Sequence, residues 1–214
     1  ARSYSDGKKR YLFGWVPTKE EEKDLANWQW GGTLVVHEVY QRLDGSLGVS
    51  IPGGVAGAFA KARPLISAPV TLHAADGVSE TYLEQESGVI FKFDASVEFS
   101  AGTRAFGVRL FEDPATGDAY EFILQLGECR LSFDRTPNLP WFRYNNRGLD
   151  RPIQLQAGRK YRLEIIADDT IATIYIDGVA LNTRMYAKAG QAISAYVVDG
   201  SLTIEAASLA KGLK

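Results

Sequence analysis

Asp168-Asp169-Thr170-Ile171-Ala172-Thr173-Ile174-Tyr175-Ile176-Asp177-Gly178 reads as a turn, a strand and a second turn. Its six central residues are β-branched, aromatic or small, and Asp-Gly is a strong hairpin signal. The same unit recurs on both sides. Short apolar runs at 70–73, 88–99, 105–111, 120–133, 161–167, 193–198 and 202–206 are separated by turn chemistry. The turns include Ala75-Asp76-Gly77, Asp113-Pro114-Ala115-Thr116-Gly117, Ala157-Gly158 and Asp199-Gly200. Regular short strands with almost no helical periodicity predict an all-β fold, a two-sheet β-sandwich of the concanavalin-like jelly-roll kind, over 64–214.

Upstream the pattern changes. Asp6-Gly7 lies between Arg2-Ser3-Tyr4 and Tyr11-Leu12-Phe13, and Asp44-Gly45 lies between 33–40 and 47–51, so two hairpins are expected before residue 51. Gly14-Trp15 is read as the end of the second strand, and 17–24 as an exposed loop or short helical turn. Four short strands are too few for a closed domain. Pro52-Gly53-Gly54 breaks the run, and the alanine-rich stretch that follows predicts a linker helix over 52–63, with the domain boundary there.

The chain has 214 residues, with 45% hydrophobic and 23% charged, so a sizeable core is expected and no membrane span is. Lys plus Arg is 24 against 26 Asp plus Glu, and the basic residues are scattered, which gives no reason to expect nucleic acid. A single cysteine, Cys129, excludes an internal disulfide framework but leaves the compartment, cytoplasmic or secreted, open. The N-terminus shows no signal-peptide pattern and runs at once into strand-like sequence, as a chain entered midway does.

Arg10-Tyr11-Leu12-Phe13-Gly14-Trp15, Trp28-Gln29-Trp30-Gly31-Gly32, the Asp44-Gly45 hairpin, the 52–63 linker and 168–186, with Thr183-Arg184-Met185-Tyr186, together resemble glycoside hydrolase family 32. This is the family of invertases, levanases, inulinases and sucrose-6-phosphate hydrolases. The resemblance implies a five-bladed β-propeller carrying the active site, followed by a C-terminal β-sandwich. Residues 1–51 would then be a remnant of the last propeller blade. Two positions depart from the family pattern: Thr173 stands where Glu is frequent, and His37-Glu38 where many members have Pro-Arg.

What the resemblance implies chemically is a retaining β-fructosidase, whose two carboxylates stand roughly 5–5.5 Å apart. The family's motifs for them precede the Gly-Trp region, and nothing here matches them in that position. No catalytic residue is therefore expected in this chain, and no metal or cofactor. Glu128-Cys129 repeats the family's acid/base dipeptide but falls in the sandwich, where Glu128 reads as a solvent-facing strand residue and Cys129 as a small buried one. Glu112-Asp113-Pro114 reads as a hairpin loop. His37 and His73 read as core or surface residues, since no metal-ligand spacing includes them.

The aromatics carry the remaining expectations. In an intact enzyme the resemblance places Trp15 against the fructose subsite, and the alternative is that it fills space between blades. Trp28 and Trp30 are read as anchoring the loop between propeller and sandwich. Trp141, Tyr144, Asn145 and Arg147 form the most binding-like stretch of the sandwich, aromatics interleaved with hydroxyl-binding groups, against an alternative of loop packing. The expected partners are the missing propeller, as an N-terminal segment or a second chain, and a fructoside or fructan. Self-association stays open. A carbohydrate-binding module without catalysis is the competing function.

Overall fold

The computed structural model describes residues 2–136 and 149–213. It is almost entirely β, in a smaller and a larger sheet. The smaller sheet is an antiparallel meander of β1 (Arg2–Ser5), β2 (Arg10–Lys19), β3 (Trp28–Gln41) and β4 (Leu47–Ser50), in that spatial order. Both predicted hairpins are present. Asp6 closes the first by accepting the Lys8 and Lys9 amides at 2.8 and 2.7 Å, and Asp44 closes the second by accepting the Ser46 amide at 2.9 Å.

Between these hairpins the expected boundaries shift. β2 does not stop at Gly14-Trp15: Trp15 pairs with Leu34, and the strand runs on to Lys19. A 3₁₀ turn at Glu20–Glu22 follows, and Asp24, expected in an exposed loop, is buried.

The connection to the larger sheet is mostly extended. The helix expected over 52–63 is a single turn, α1 (Gly53–Ala56). Three glycines in five residues, Gly53, Gly54 and Gly57, weaken helix formation, and an isolated turn does not meet its nucleation cost. Phe59 instead makes a β-bridge to Gly212, tying the connection to the chain's other end.

The larger sheet comprises β5 (Arg63–Pro64), β6 (Val70–Glu84), β7 (Ile90–Phe99), β8 (Ala105–Glu112), β9 (Ala119–Gln125), β10 (Arg130–Thr136), β11 (Asp150–Pro152), β12 (Tyr161–Asp168), β13 (Ile171–Ile176), β14 (Val179–Arg184) and β15 (Ala192–Lys211). Its hydrogen-bonded order is β11-β10-β9-β8-β15-β7-β12-β13-β14, with β5 and β6 also paired to β15. The first half of β15 lies beside β8 and its second half beside β7, so this one strand belongs to both layers of the sandwich.

Two expected turns are bends within these long strands. Asp199-Gly200 lies inside β15 and Asp76-Gly77 inside β6, and the two strands stay paired across the corner apart from a register shift. The Gly77 amide donates to Asp199 Oδ1 at 2.8 Å, which ties the bends together. The run 120–133, in contrast, is two strands. Cys129 sits between them, exposed and in a left-handed turn at φ 49°, so it is not the buried strand residue expected, and Glu128 pairs with Arg130 beside it.

The core lies between the layers. Phe91, Phe93, Leu163, Ile165, Ile174 and Leu181 meet Leu110, Phe122, Leu124, Leu131, Phe133 and Ile193 in one cluster of buried side chains. β7 alternates buried and partly exposed residues along its length, as a strand with one face on the core must. At about 1.5–3 kcal/mol for each fully buried large apolar side chain, this cluster is the main source of stability.

Candidate functional site

Polar side chains concentrate where the smaller sheet meets the sandwich, with β14 packed against β2 and β4. The first node is Asp24. Its carboxylate accepts the Tyr120 hydroxyl, the Tyr186 amide at 3.0 Å and the Ala187 amide at 3.3 Å, and lies 3.5 Å from Arg135. The Lys19 ammonium donates to the Asp24 carbonyl and stands over the Trp28 ring at 4.4 Å, while burial pulls its pKa down. A buried carboxylate is tolerated because its lone pairs are taken by donors, one of them charged. Burial first, then the Asp24 charge, pushes the Tyr120 phenol well above its ordinary range, so it remains a donor.

The second node is Arg184, near the end of β14. Its guanidinium donates to the Val16 carbonyl at 2.7 Å, the Pro17 carbonyl at 3.3 Å, Thr33 Oγ1 at 3.1 Å and Thr170 Oγ1 at 2.9 Å. One planar fork thus bridges β2, β3 and the sandwich.

The third node runs from Thr173 through Asn182 and His37 to Tyr175. Thr173 Oγ1 donates to Asn182 Oδ1 at 2.7 Å, Asn182 Nδ2 lies 3.3 Å from His37 Nε2, and His37 Nδ1 lies 2.8 Å from the Tyr175 hydroxyl. With Asn182 oriented by Thr173, its amide donates to Nε2, and neutral His37 carries its proton on Nδ1. Burial, reinforced by Arg151, holds the His37 pKa below the usual imidazole value. Thr173 on β13 and His37 on β3 are thus linked through Asn182 on β14. His73, by contrast, is exposed beside Ser201 at 2.9 Å.

Aromatic residues frame the smaller sheet. Trp15 and Trp30 are 55% and 92% exposed, with ring centroids 5.8 Å apart, so Trp30 does not anchor against the sandwich as expected, whereas Trp28 packs under Lys19. Leu34, Val36, Val55, Ile166, Ile171 and Tyr175 line a mainly apolar cleft of about 180 Å³ between the two sheets. Trp141, Tyr144, Asn145 and Arg147 lie outside the described residues.

Candidate chemistry is sparse. Glu128 is solvent-exposed on its turn, and Asp113 closes a hairpin by accepting the Ala115 amide at 2.9 Å. Among the described residues, no group of three or more His, Cys, Asp or Glu side chains is placed to hold a metal ion.

No family model and no curated protein matches the sequence. Solved structures do match. A family 32 glycoside hydrolase from Bifidobacterium adolescentis aligns with 99% of this chain at 16% identity and a TM-score of 0.59. The fold is one found in family 32 glycoside hydrolases. Fructan 1-exohydrolase IIa from Cichorium intybus aligns with the whole chain at 12% identity and a TM-score of 0.69. The chain spans only 31% and 48% of these two enzymes. The carbohydrate-binding module CBM66 from Bacillus subtilis aligns over 95% of its own length with 70% of this chain, at 13% identity and a TM-score of 0.52.

Sequence reading found the strands that carry these nodes but missed Asp24 and Arg184 as their centres. The available signal for Asp24 was an aspartate closing an acidic, lysine-flanked segment between two strands, which is also how an exposed loop looks.

Proposed function

We propose that this chain is the C-terminal portion of a family 32-type glycoside hydrolase acting on fructosides, with the sandwich buttressing a catalytic propeller. The junction carries this reading. A four-stranded sheet that buries little apolar surface of its own is held in one orientation by Asp24, Arg184 and His37. Rigid support of this kind is what a blade presenting residues to an active site requires. In this reading the catalytic carboxylates lie outside these 214 residues, and residues 1–51 are part of the last blade. Trp15, exposed beside Trp30, would line the fructose subsite. The missing propeller, as a preceding segment or a second chain, is the partner.

Native mass spectrometry and fructose release from sucrose, levan and inulin test the proposal. The chain by itself is expected to release no fructose, and a species carrying an additional propeller-sized polypeptide is expected to release it. Hydrolysis by the 214-residue chain alone overturns the placement of the carboxylates.

The likeness to a carbohydrate-binding module supports a second reading, sugar binding by the sandwich itself. That module aligns along nearly its whole length, so the sandwich is the size of a free-standing binding unit.

A further inference from the structure

The outer face of the layer formed by β15, β7 and β12 carries two polar rows. Ser208, Asp94 and Glu164 lie side by side in one, and Ala206, Ser96 and Arg162 in the next. A bulge sets the second row. Ile204 pairs with Val97 and Ala206 with Ser96, so Glu205 is an extra residue in β15. Regular alternation would bury Ala206. The bulge instead turns Glu205 and Ala206 outward together, between the buried Ile204 and Ala207.

The floor of this face is therefore made of small side chains, Ala206, Ser96 and Ser208. The connection from β5 to β6 walls one side with Pro64, Ile66, Ser67 and Pro69, and the Asp94 and Glu205 side chains complete the lining. The groove is open to solvent and holds about 410 Å³, within the range of roughly 300–1,000 Å³ typical of small-molecule sites.

Both acids are held in place and remain reachable. Arg162 Nε donates to Asp94 Oδ2 at 2.9 Å, Lys92 Nζ lies 3.2 Å from the same oxygen, and Lys160 Nζ lies 3.0 Å from Glu205 Oε1. The Asp94 and Glu205 side chains keep 24% and 32% of their surface exposed. Burial pushes the Asp94 pKa up, but Arg162 and Lys92 outweigh it and hold the carboxyl below its ordinary range, so it accepts at neutral pH. Among the described residues, nothing pairs with the hydroxyls of Ser67, Ser96 and Ser208.

Each acid is matched by a base, so the groove has no excess charge to draw an ion, and a metal would compete with cations already in place. A neutral molecule with several hydroxyls suits it. The carboxylates and serines accept its hydroxyl protons, the exposed Arg162 guanidinium donates to its oxygens, and the proline and isoleucine wall receives its C–H face.

We propose that this groove is a sugar-binding subsite, taking one residue of a neutral carbohydrate against the β15 bulge. It rests on the carbohydrate-binding reading of the sandwich. Calorimetric titration of the 214-residue chain with fructose, sucrose and levan oligosaccharides, with galactose for comparison, is the experiment. Saturable binding is expected for at least one sugar, weakened about tenfold or more in Ala206→Trp. That substitution fills the floor from an exposed position and removes no core or charged group, so the thermal midpoint should stay near wild type. Ser96→Val, which takes away a floor hydroxyl, replaces it where the indole prevents folding. Binding that survives the folded floor variant unchanged overturns this site and leaves sugar binding elsewhere on the sandwich standing. No binding of any of these sugars up to about 50 mM overturns both.

Discussion

Asp24 and His37 are the residues on which the junction turns. Replacing the Asp24 carboxylate by an amide keeps its shape but turns one of its two oxygens into a donor, which then faces either the Tyr186 amide or the Tyr120 hydroxyl and Ala187 amide. Asp24→Asn is therefore expected to lower stability by about 2–3 kcal/mol, read as a lower urea midpoint. His37 gives the junction a pH dependence. Its folded-state pKa is depressed by burial, so its stabilising contribution is complete above the unfolded value of about 6.5 and is lost as pH falls toward the folded value. Between those limits the unfolded chain takes up a proton that the folded chain refuses. Stability should fall there by up to about 1.4 kcal/mol per pH unit more in wild type than in His37→Gln, in urea melts at stepped pH.

Among the elements, β15 does the most to make one molecule out of the sandwich. Twenty residues long, it pairs in turn with β8, β6, β7 and β5. It passes from one layer to the other at Gly200, where φ is 134° and a Cβ would lie 2.6 Å from the Thr103 Cα. That backbone atom cannot move aside as a side chain would. Gly200→Ala is expected to cost about 2–3 kcal/mol, measured by thermal melting. Gly117→Ala, at a turn glycine with open space around it, should cost less, since only its positive φ is at stake.

The whole molecule divides unequally. Val16 is the one apolar side chain of β1 to β4 that is buried among the described residues, whereas the sandwich contains a continuous core. The smaller sheet therefore depends on the larger, through hydrogen bonds and charge more than through apolar burial. A chain starting near residue 58 is expected to fold with a lowered thermal midpoint, while a peptide of residues 1–51 should show no cooperative transition by circular dichroism. A 1–51 peptide that melts cooperatively by itself would show that the sheet does not need the junction.

Local chemistry was legible in the sequence where it acts locally. The Asp6-Gly7, Asp44-Gly45 and Asp177-Gly178 turns, the alternation of β7 and the apolar run of β13 are readable because turn geometry and the two-residue strand period are properties of neighbouring residues. The same chemistry misled at Asp76-Gly77 and Asp199-Gly200. A bend within a paired strand and a turn ending one use the same residues, and only the partner strand distinguishes them. Partners 82 to 168 residues away in sequence decided the rest: Tyr186 and Tyr120 for Asp24, Val16 for Arg184, Tyr175 and Asn182 for His37, Ser194 for Glu112. A carboxylate in a polar segment looks the same whether water or a distant hydroxyl satisfies it. Burial, which makes that choice matter energetically, exists only once the two sheets have met.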